Sequence, residues 1–456
     1  MSSSFESNPQ YIKMNQPFVP TQEAAPMNYL TGPTFKEAKK IKGRQGQEDL
    51  LDRPEAGEES SQKSEWNEVL TDQGDRLSIR LVRSTEEFAE LETAWNRLAE
   101  NPLSGFRWHF EWWTQFGDGS QLQIYCLENH GEVVGIAPFF QDRWLGQSRL
   151  RFVGSGKACT DYADLIVDRN YRQAFITAIA NETPHFAGVE LIEFEGVDDR
   201  GPAESLAAEF SDKSWEYRKT VDACWYLTLP NSWEEFCKAA RGSLRRKIRK
   251  AEKRLEAKEV VIRSTDDDLD FEIAFATLVK LHQIRFESKG EPGVFADPAF
   301  ESFLKQSARE LCSQQRAEIF IAYVDSKPIG AHFYLLADSG PQFYQGGVLT
   351  SRMDLEPGHL MFTYAIKKAI ANGYREFDFL RGNEPYKPFW GAVRRELFMV
   401  RLVSKKLKPT LVNMAFRFAR RSKHLLADAV SRLKTCLLYT SPSPRDQRGS
   451  RMPSSA

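Results

Sequence analysis

The stretch Asp378-Phe-Leu-Arg-Gly-Asn-Glu-Pro-Tyr-Lys-Pro-Phe-Trp390 decides how this chain of 456 residues is interpreted. The pattern up to Leu380 predicts a strand over Glu376 to Leu380, and the residues after Arg381-Gly382 predict a polar and aromatic loop. An Asp, a Glu, a Tyr and a Lys close together at the end of a strand supply a base, an acid and an anion ligand. The structural alternative is a salt-bridged strand exit with its aromatic residues in the core.

A second motif precedes this loop. Phe343-Tyr-Gln-Gly-Gly347 predicts a strand, an irregular segment from Arg352 follows, and a helix is predicted to begin at Gly358 and to stop at Gly373. Free backbone N–H groups and the helix dipole at such a start favour a bound pyrophosphate. The alternative is an ordinary loop and helix cap.

A third motif is a basic helix predicted from about Ser243 to Ala257. Between Arg241 and Lys258 there are nine basic and two acidic residues, which gives a local net charge of 9 − 2 = +7. Positive charge of this density on one helix favours polyanions such as a CoA diphosphate, a tRNA or a lipid-linked pyrophosphate. The alternative is a solvated helix face.

Around these motifs the same order of elements occurs twice: strand, helices, antiparallel hairpin, strand, helix, strand. This order predicts an internal duplication. The segment before Leu77 is poor in β-branched residues, and the end of the chain is basic and amphipathic. The last residues, from Cys436, resemble a translated sequencing adapter. The predicted division is a disordered tail 1–75, a first unit 76–222, a second unit 223–405, a basic amphipathic helix 406–435 and a non-native tail 436–456.

Composition limits the function further. The net charge of −1 gives the whole chain no electrostatic bias toward nucleic acid or membrane, and the six cysteines form no metal-ligand or disulfide pattern. No segment reads as a signal peptide or a transmembrane helix. We therefore expect no metal and a cytoplasmic location. The basic C-terminal helix predicts either packing on the second unit or peripheral contact with an anionic membrane.

Together, and in this order, the three motifs resemble the GNAT-type proteins known as cellulose-biosynthesis (CelD-like) acetyltransferases, and more distantly the Fem peptidyltransferases. The likeness extends over Leu77 to about Lys405 and includes Asp161-Tyr-Ala-Asp164 in the first unit. It implies an α+β tandem GNAT fold (the acyl-CoA N-acyltransferase fold) with two mixed, mostly antiparallel sheets flanked by helices. It also implies acyl transfer from acyl-CoA, such as acetyl-CoA, to an amine or hydroxyl of a small-molecule, glycan or lipid-linked acceptor, in polysaccharide or cell-envelope biosynthesis of a bacterium.

Three groups of residues follow from the motifs and the resemblance. Direct attack without a covalent enzyme intermediate needs a base, an acid and oxyanion donors. The predicted catalytic residues are Asp378, Glu384 and Tyr386, with Asp378 or Glu384 as the base. The predicted donor-binding residues are Gly346, Arg352, Gly358, His359, Arg381 and Lys387. The predicted polyanion ligands are Arg245, Arg246, Lys247 and Arg249, and His282 and Arg285 are secondary candidates.

One departure from the family pattern keeps two other functions open. The usual GNAT pyrophosphate loop carries glycines soon after its Arg or Gln, whereas Arg352 is followed by Met-Asp-Leu and no glycine occurs before Gly358. An aminoacyl-tRNA donor, as in Fem-type relatives, is the first alternative. A non-catalytic GNAT scaffold in polysaccharide export is the second.

Overall fold

The computed structural model describes residues 67–70, 76–181, 188–198, 201–210, 215–416 and 418. The predictions for 1–66, for most of 406–435 and for 436–456 lie outside these residues. The predicted tail does not extend to residue 75, because Asn67–Leu70 forms a strand, β1, that pairs antiparallel with the next one. Its hydrogen-bond partners lie in another strand, so local composition did not reveal it. Among the described residues, no helix is long and apolar enough to cross a membrane.

The first unit contains the predicted hairpin, which is formed by β3 and β4, together with further strands and helices. Its strands are β2 Arg76–Val82, β3 Gln121–Asn129, β4 Glu132–Trp144, β5 Gln147–Phe152, β6 Ile166–Val167, β7 Leu191–Val197 and β8 Trp215–Thr228. Its helices are α1 Thr85–Ala89, α2 Glu92–Leu98, α3 Phe106–Phe116, α4 Arg172–Asn181 and α5 Pro202–Glu209. Strand β8 runs through the predicted boundary at 222/223, so the division into units falls inside an element.

The second unit follows the predicted order closely. Its helices are α6 Trp233–Ala239, α7 Gly242–Glu256, α8 Phe271–Glu287, α9 Pro298–Ser313, α10 Pro357–Ala371 and α11 Tyr386–Trp390. Its strands are β9 Val261–Ser264, β10 Ala317–Val324, β11 Lys327–Ala337, β12 Gly340–Val348, β13 Glu376–Arg381 and β14 Val393–Ser404. Ser232 caps α6 by accepting a hydrogen bond from the Glu235 amide at 3.2 Å, as its sequence predicts.

The two predicted sheets are one continuous mixed sheet. The described strands follow the order β1-β2-β3-β4-β5-β7-β14-β8-β13-β12-β11-β10-β9, and β6 pairs with β4 outside this path. Strand β14 joins the halves, because it pairs antiparallel with β8 from Val393↔Tyr226 to Ser404↔Trp215 and with β7 through Phe398↔Val197. The C-terminal strand of the second unit therefore completes the sheet of the first.

The sheet opens at one point inside the second unit. Strands β12 and β13 run parallel, and their only registered pair among the described residues is Gln342↔Asp378. Beyond this pair β12 continues to Val348 and β13 to Arg381, and no further pair between these two strands is registered among the described residues. The two strands therefore diverge and leave a cleft between them.

Helix α8 packs very closely against one side of this cleft. A Cβ at Gly347 of β12 would lie 2.2 Å from the backbone nitrogen of His282 in α8. Only a residue without a side chain allows this approach. The glycine pair of the Phe343-Tyr-Gln-Gly-Gly347 motif thus brings α8 onto the diverging strand.

Candidate active site

Asp378 lies in β13 at the point where the cleft begins. Its side chain faces the first unit, and the residue is only 5% exposed. The Oδ1 atom accepts a hydrogen bond from the Leu380 amide at 2.7 Å, and Oδ2 accepts one from the Tyr162 hydroxyl at 2.5 Å. The carboxylate is thus held at both oxygens, once by its own strand and once by the first unit.

This contact joins two sequence motifs that are 216 residues apart. Tyr162 belongs to the Asp161-Tyr-Ala-Asp164 motif, and its backbone has a left-handed φ of 60°. A non-glycine residue in this region carries strain, which is found most often at functional sites. The first unit therefore supplies a residue to the site of the second.

Burial raises the pKa of Asp378 to about 6, and Asp161 acts in the same direction. The hydrogen bonds from Tyr162 and Leu380 and the charge of Arg395 lower this pKa and only partly offset burial. A carboxylate with a pKa in this range is ionised at neutral pH and is a stronger base than an ordinary aspartate.

Arg381, a predicted donor ligand, is instead bound to the first unit. Its Nε donates to Asp161 Oδ1 at 2.6 Å, and its backbone amide donates to Asp161 Oδ2 at 2.9 Å. A second carboxylate, that of Asp222, lies 3.4 Å from the same Nε. Because Asp161 is 2% exposed, this ion pair is buried between the units. Its geometry fixes the end of β13.

Lys387 is also turned inward. Its amino group donates to the carbonyl oxygens of Leu380, Arg381 and Gly382 at 3.1, 2.7 and 3.3 Å. It also pairs with the Glu384 carboxylate at 2.9 Å. The residue is 1% exposed. Lys387 therefore holds the loop after β13 closed, and Glu384, although exposed, is occupied by the same lysine.

Tyr386 lies on the other side of the sheet, at the start of α11. Its ring stacks on Phe362 of α10, with centroids 5.3 Å apart. Burial raises the pKa of its hydroxyl, and the charge of Glu384 adds to the effect. The tyrosine is therefore protonated at neutral pH and is able to donate a proton or a hydrogen bond.

Arg285 brings positive charge to the same region from α8. Its charge lowers the pKa of Tyr386 and, after burial, that of His332, which falls to about 3. Twelve described arginines are half-buried, and Arg285 is the one whose guanidinium has neither a carboxylate nor a carbonyl partner among the described residues. The guanidinium groups of the other eleven all have such a partner. Arg245 contacts carbonyl oxygens. The ten that contact carboxylates are Arg80, Arg107, Arg149, Arg151, Arg254, Arg316, Arg352, Arg381, Arg395 and Arg401. An unpaired, half-buried guanidinium is suited to an anionic ligand.

His282, the other secondary candidate, belongs to the core. It is 1% exposed, its ring stacks on Phe286 at 4.3 Å, and burial lowers its pKa to about 4. The imidazole is therefore neutral and packs between aromatic rings.

Gln342 is a residue that the sequence patterns did not single out. It pairs in register with Asp378, it is 5% exposed, and its Oε1 atom has no hydrogen-bond partner among the described residues. A buried carbonyl oxygen without a donor is unfavourable unless a ligand supplies one. Two residues further along, the β11–β12 ladder shifts register and leaves Tyr344 as a bulge, close to the predicted donor-binding Gly346.

The helix start at Gly358 has the predicted free amides. Helix α10 begins at Pro357, no side chain caps it, and a Cβ on Gly358 would meet no atom within 4 Å. The amides of Gly358 and His359 belong to the first turn, so they have no partner within the helix and lie at the positive end of its dipole. Burial lowers the pKa of His359, and the charge of Lys247 adds to the shift.

The basic helix α7 lies next to this helix start, but it is partly neutralised there. Lys247 pairs with the carboxylate of Glu356, and Lys250 pairs with it at 3.5 Å. Arg352 is similarly paired with Asp354 at 3.4 Å. One positive charge of the two lysines therefore remains for an anion at the amides of α10.

The other predicted polyanion ligands of α7 differ among themselves. Arg245 donates to the carbonyl oxygens of Lys238 and Ala240 at 3.0 and 2.9 Å, so it anchors α6. Arg246 and Arg249 are exposed and make no ion pair among the described residues. Only these two arginines of the predicted four point freely into solvent.

The structure thus brings Asp378, Tyr162 and Gln342 to one end of the cleft. Arg285 and Tyr386 flank the cleft from opposite sides of the sheet, and the Gly358 amides lie at the start of α10. No group of His, Cys, Asp and Glu suited to a metal ion occurs among the described residues.

Comparison with known protein families gives one match, which lies within the second unit. A family model described as "Acetyltransferase (GNAT) domain" matches residues 239–388, which contain α7, α10 and the loop after Asp378. The match covers this part of the chain and not the first unit. No curated protein sequence matches the chain significantly.

Several solved structures are similar to this chain at low identity. The crystal structure of FemX covers 69% of this chain and 95% of its own, at 14% identity and a TM-score of 0.48. The structure of L-PGS from Bacillus licheniformis covers 72% of this chain and 94% of its own, at 12% identity and a TM-score of 0.44. A GNAT-family acetyltransferase from Colwellia psychrerythraea covers 72% of this chain and 99% of its own, at 13% identity and a TM-score of 0.38.

Proposed function

We propose that this protein transfers an acyl group from acyl-CoA to an amine or hydroxyl acceptor, with Asp378 as the general base. The observation that carries the proposal is the buried Asp378 carboxylate at the mouth of the β12–β13 cleft, with its pKa raised to about 6 by burial. Of the two bases that the sequence offered, Glu384 is exposed and paired with Lys387. The GNAT domain match supports the reaction class.

In this mechanism Asp378 takes the proton of the attacking amine or hydroxyl as the new C–N or C–O bond forms. The unpartnered Oε1 of Gln342 accepts a hydrogen bond from the acceptor beside it. Tyr386 gives a proton to the leaving sulfur as the C–S bond breaks. The amides of Gly358 and His359 bind the diphosphate of the donor, assisted by the charge that remains on Lys247 and Lys250.

The unpaired Arg285 supports an acceptor or donor with an anionic group near the reacting centre. Acidic sugars and lipid-linked phosphates of the cell envelope have this chemistry, in keeping with the proposed CelD-like role in a cytoplasmic step of polysaccharide biosynthesis.

A second candidate donor, aminoacyl-tRNA, is favoured by one observation. Arg246 and Arg249 project from α7 without ion-pair partners among the described residues, which suits a phosphate backbone better than a single diphosphate. Salt-sensitive tRNA binding that is lost in Arg246→Gln/Arg249→Gln would favour this donor.

Calorimetry on the full chain with acetyl-CoA, longer acyl-CoAs and charged tRNA separates the donors. Binding of one donor class is expected, and no binding of any would favour the non-catalytic scaffold. With the donor known, Asp378→Asn is expected to keep donor binding and to lose about a hundredfold or more in turnover. Asp164→Asn is the matched control, because Asp164 is a half-buried carboxylate that is also hydrogen-bonded to backbone amides, those of Leu165 and Ala203. A folded Asp378→Asn variant with full turnover would refute the assignment.

A further inference from the structure

The C-terminal helix, residues 407–416 and 418, packs on the first unit with one of its faces. The ring of Phe416 contacts that of Trp144, with centroids 4.8 Å apart, and the Asn413 amide donates to Gln147 Oε1 at 3.4 Å. The hairpin between β4 and β5 therefore fixes the orientation of the helix. The sequence predicted packing on the second unit, and this prediction was wrong, because the partners of the helix lie in the first unit. The opposite face of the helix takes no part in these contacts.

That opposite face is an exposed apolar stripe. Leu407, Leu411, Met414 and Phe418 are spaced by four, three and four residues, so they lie along one side of the helix. They are 76%, 54%, 57% and 76% exposed, and Leu145 at the tip of the adjoining hairpin is 59% exposed. These five are among the eleven large hydrophobic residues that are exposed in the described part of the chain, which shows that the apolar surface is concentrated here.

The sequence of this segment carries charge of a single sign. From residue 405 to residue 423 the sequence contains seven basic residues and no acidic one. Lys405 and Lys406 are exposed at the start of the helix. Apolar side chains on one face and basic residues beside them are the pattern of helices that lie in the interface of an anionic membrane.

We propose that the C-terminal helix docks the protein on an anionic lipid surface, with Leu407, Leu411 and Met414 in the interface and the lysines on the headgroups. Nucleic acid would satisfy the charge but would leave the apolar stripe in water. A symmetric contact with a second copy would cover the stripe but would bring the same positive charges together. A lipid surface satisfies both features at once.

The proposal is tested by sedimentation of the full chain with vesicles of phosphatidylcholine alone or mixed with phosphatidylglycerol. Binding to the anionic vesicles only is expected. The triple variant Leu407→Gln/Leu411→Gln/Met414→Gln should lower partitioning by at least about tenfold, since each apolar side chain contributes to insertion. Lys405→Gln/Lys406→Gln should lower it by about fivefold per lysine and should weaken the salt dependence.

The matched control is Val261→Gln/Ile273→Gln, which changes exposed apolar residues elsewhere and should bind like the parent. Absence of binding to anionic vesicles would overturn the proposal. A triple variant that binds vesicles normally would also overturn it. If that variant lost thermal stability, the stripe would serve the fold of the chain itself; lost self-association would point to a second copy, and lost RNA binding to a nucleic acid.

Discussion

The hydrogen bond from Tyr162 to Asp378 leads to the sharpest prediction, which concerns Tyr162→Phe. The substitution keeps the ring and removes only the hydroxyl that donates to Asp378 Oδ2 at 2.5 Å. This hydrogen bond stabilises the ionised carboxylate and lowers its pKa, so its loss raises the pKa of Asp378 above about 6. The other groups that act on this carboxylate, Asp161, Arg395 and the Leu380 amide, are unchanged.

The size of the shift follows from the strength of the bond. A hydrogen bond to a charged group contributes about 1.5–3 kcal/mol, and about 1.4 kcal/mol corresponds to one pKa unit. The pKa of Asp378 should therefore rise by about 1–2 units. If Asp378 is the base, the acid limb of the pH profile of kcat/KM moves up by the same amount. At pH 7 the ionised fraction falls from about 0.9 to about 0.1–0.5, and activity recovers at higher pH.

The assay is release of the CoA thiol across the pH range, with the donor and acceptor that support turnover. Tyr217→Phe is the control, because the Tyr217 hydroxyl donates to the carboxylate of Glu204 at 2.9 Å, outside the cleft. This control should leave the profile in place. An acid limb that stays at the parental pH in Tyr162→Phe, or that moves equally in Tyr217→Phe, would contradict the reasoning.

Three further predictions concern the support of the site. Lys387→Met leaves three carbonyl oxygens of the loop without their donor. It should lower the free energy of unfolding in urea by about 1–3 kcal/mol and should lower turnover. An unchanged urea midpoint would show that Lys387 does not hold the loop. Gly347→Ala places a Cβ 2.2 Å from the His282 nitrogen and should cost about 1–3 kcal/mol, whereas Gly358→Ala, with no atom within 4 Å, should not destabilise. Asp378→Asn should be as stable as the parent or more stable at pH 8, by up to about 3 kcal/mol, because the pKa of Asp378 is raised from 3.8 to about 6 by burial. The stability that a raised carboxyl pKa gives the parent protein is present below pH 3.8 and is lost as the pH rises through about 6. The advantage of Asp378→Asn over the parent should therefore vanish near pH 4. An Asp378→Asn variant that is less stable than the parent at pH 8 would contradict this prediction.

Much of the second unit was predictable from the sequence because its signals are local. The capped start of α6, the hairpin of β10 and β11, and the stop of α10 at Gly373 each depend on a few neighbouring residues. The end of the strand that contains Asp378 was also predicted correctly, but the loop predicted after it was wrong in part, because Tyr386–Trp390 forms the helix α11.

The missing parts are those that depend on distant partners. Strand β14 pairs with the first half of β8 on one side and with β7 on the other, so neither β14 nor this half of β8 shows its role until the sheet is assembled. The roles of Arg381 and Lys387 were equally hidden. A basic residue in a motif suggests an anion ligand, but only the fold shows that Asp161 and three carbonyl groups already occupy these two side chains.

The joined sheet gives a physical reason for the presence of both units in one chain. Isolated from the first unit, β13 would lose the donor of Tyr162, and Arg381 would lose its buried partner Asp161. A buried arginine without its carboxylate is strongly unfavourable, so the end of β13 would rearrange. Because Asp378 lies only three residues before Arg381, the same contacts that join the units also orient the proposed base. The first unit is therefore part of the proposed site and not an appended domain.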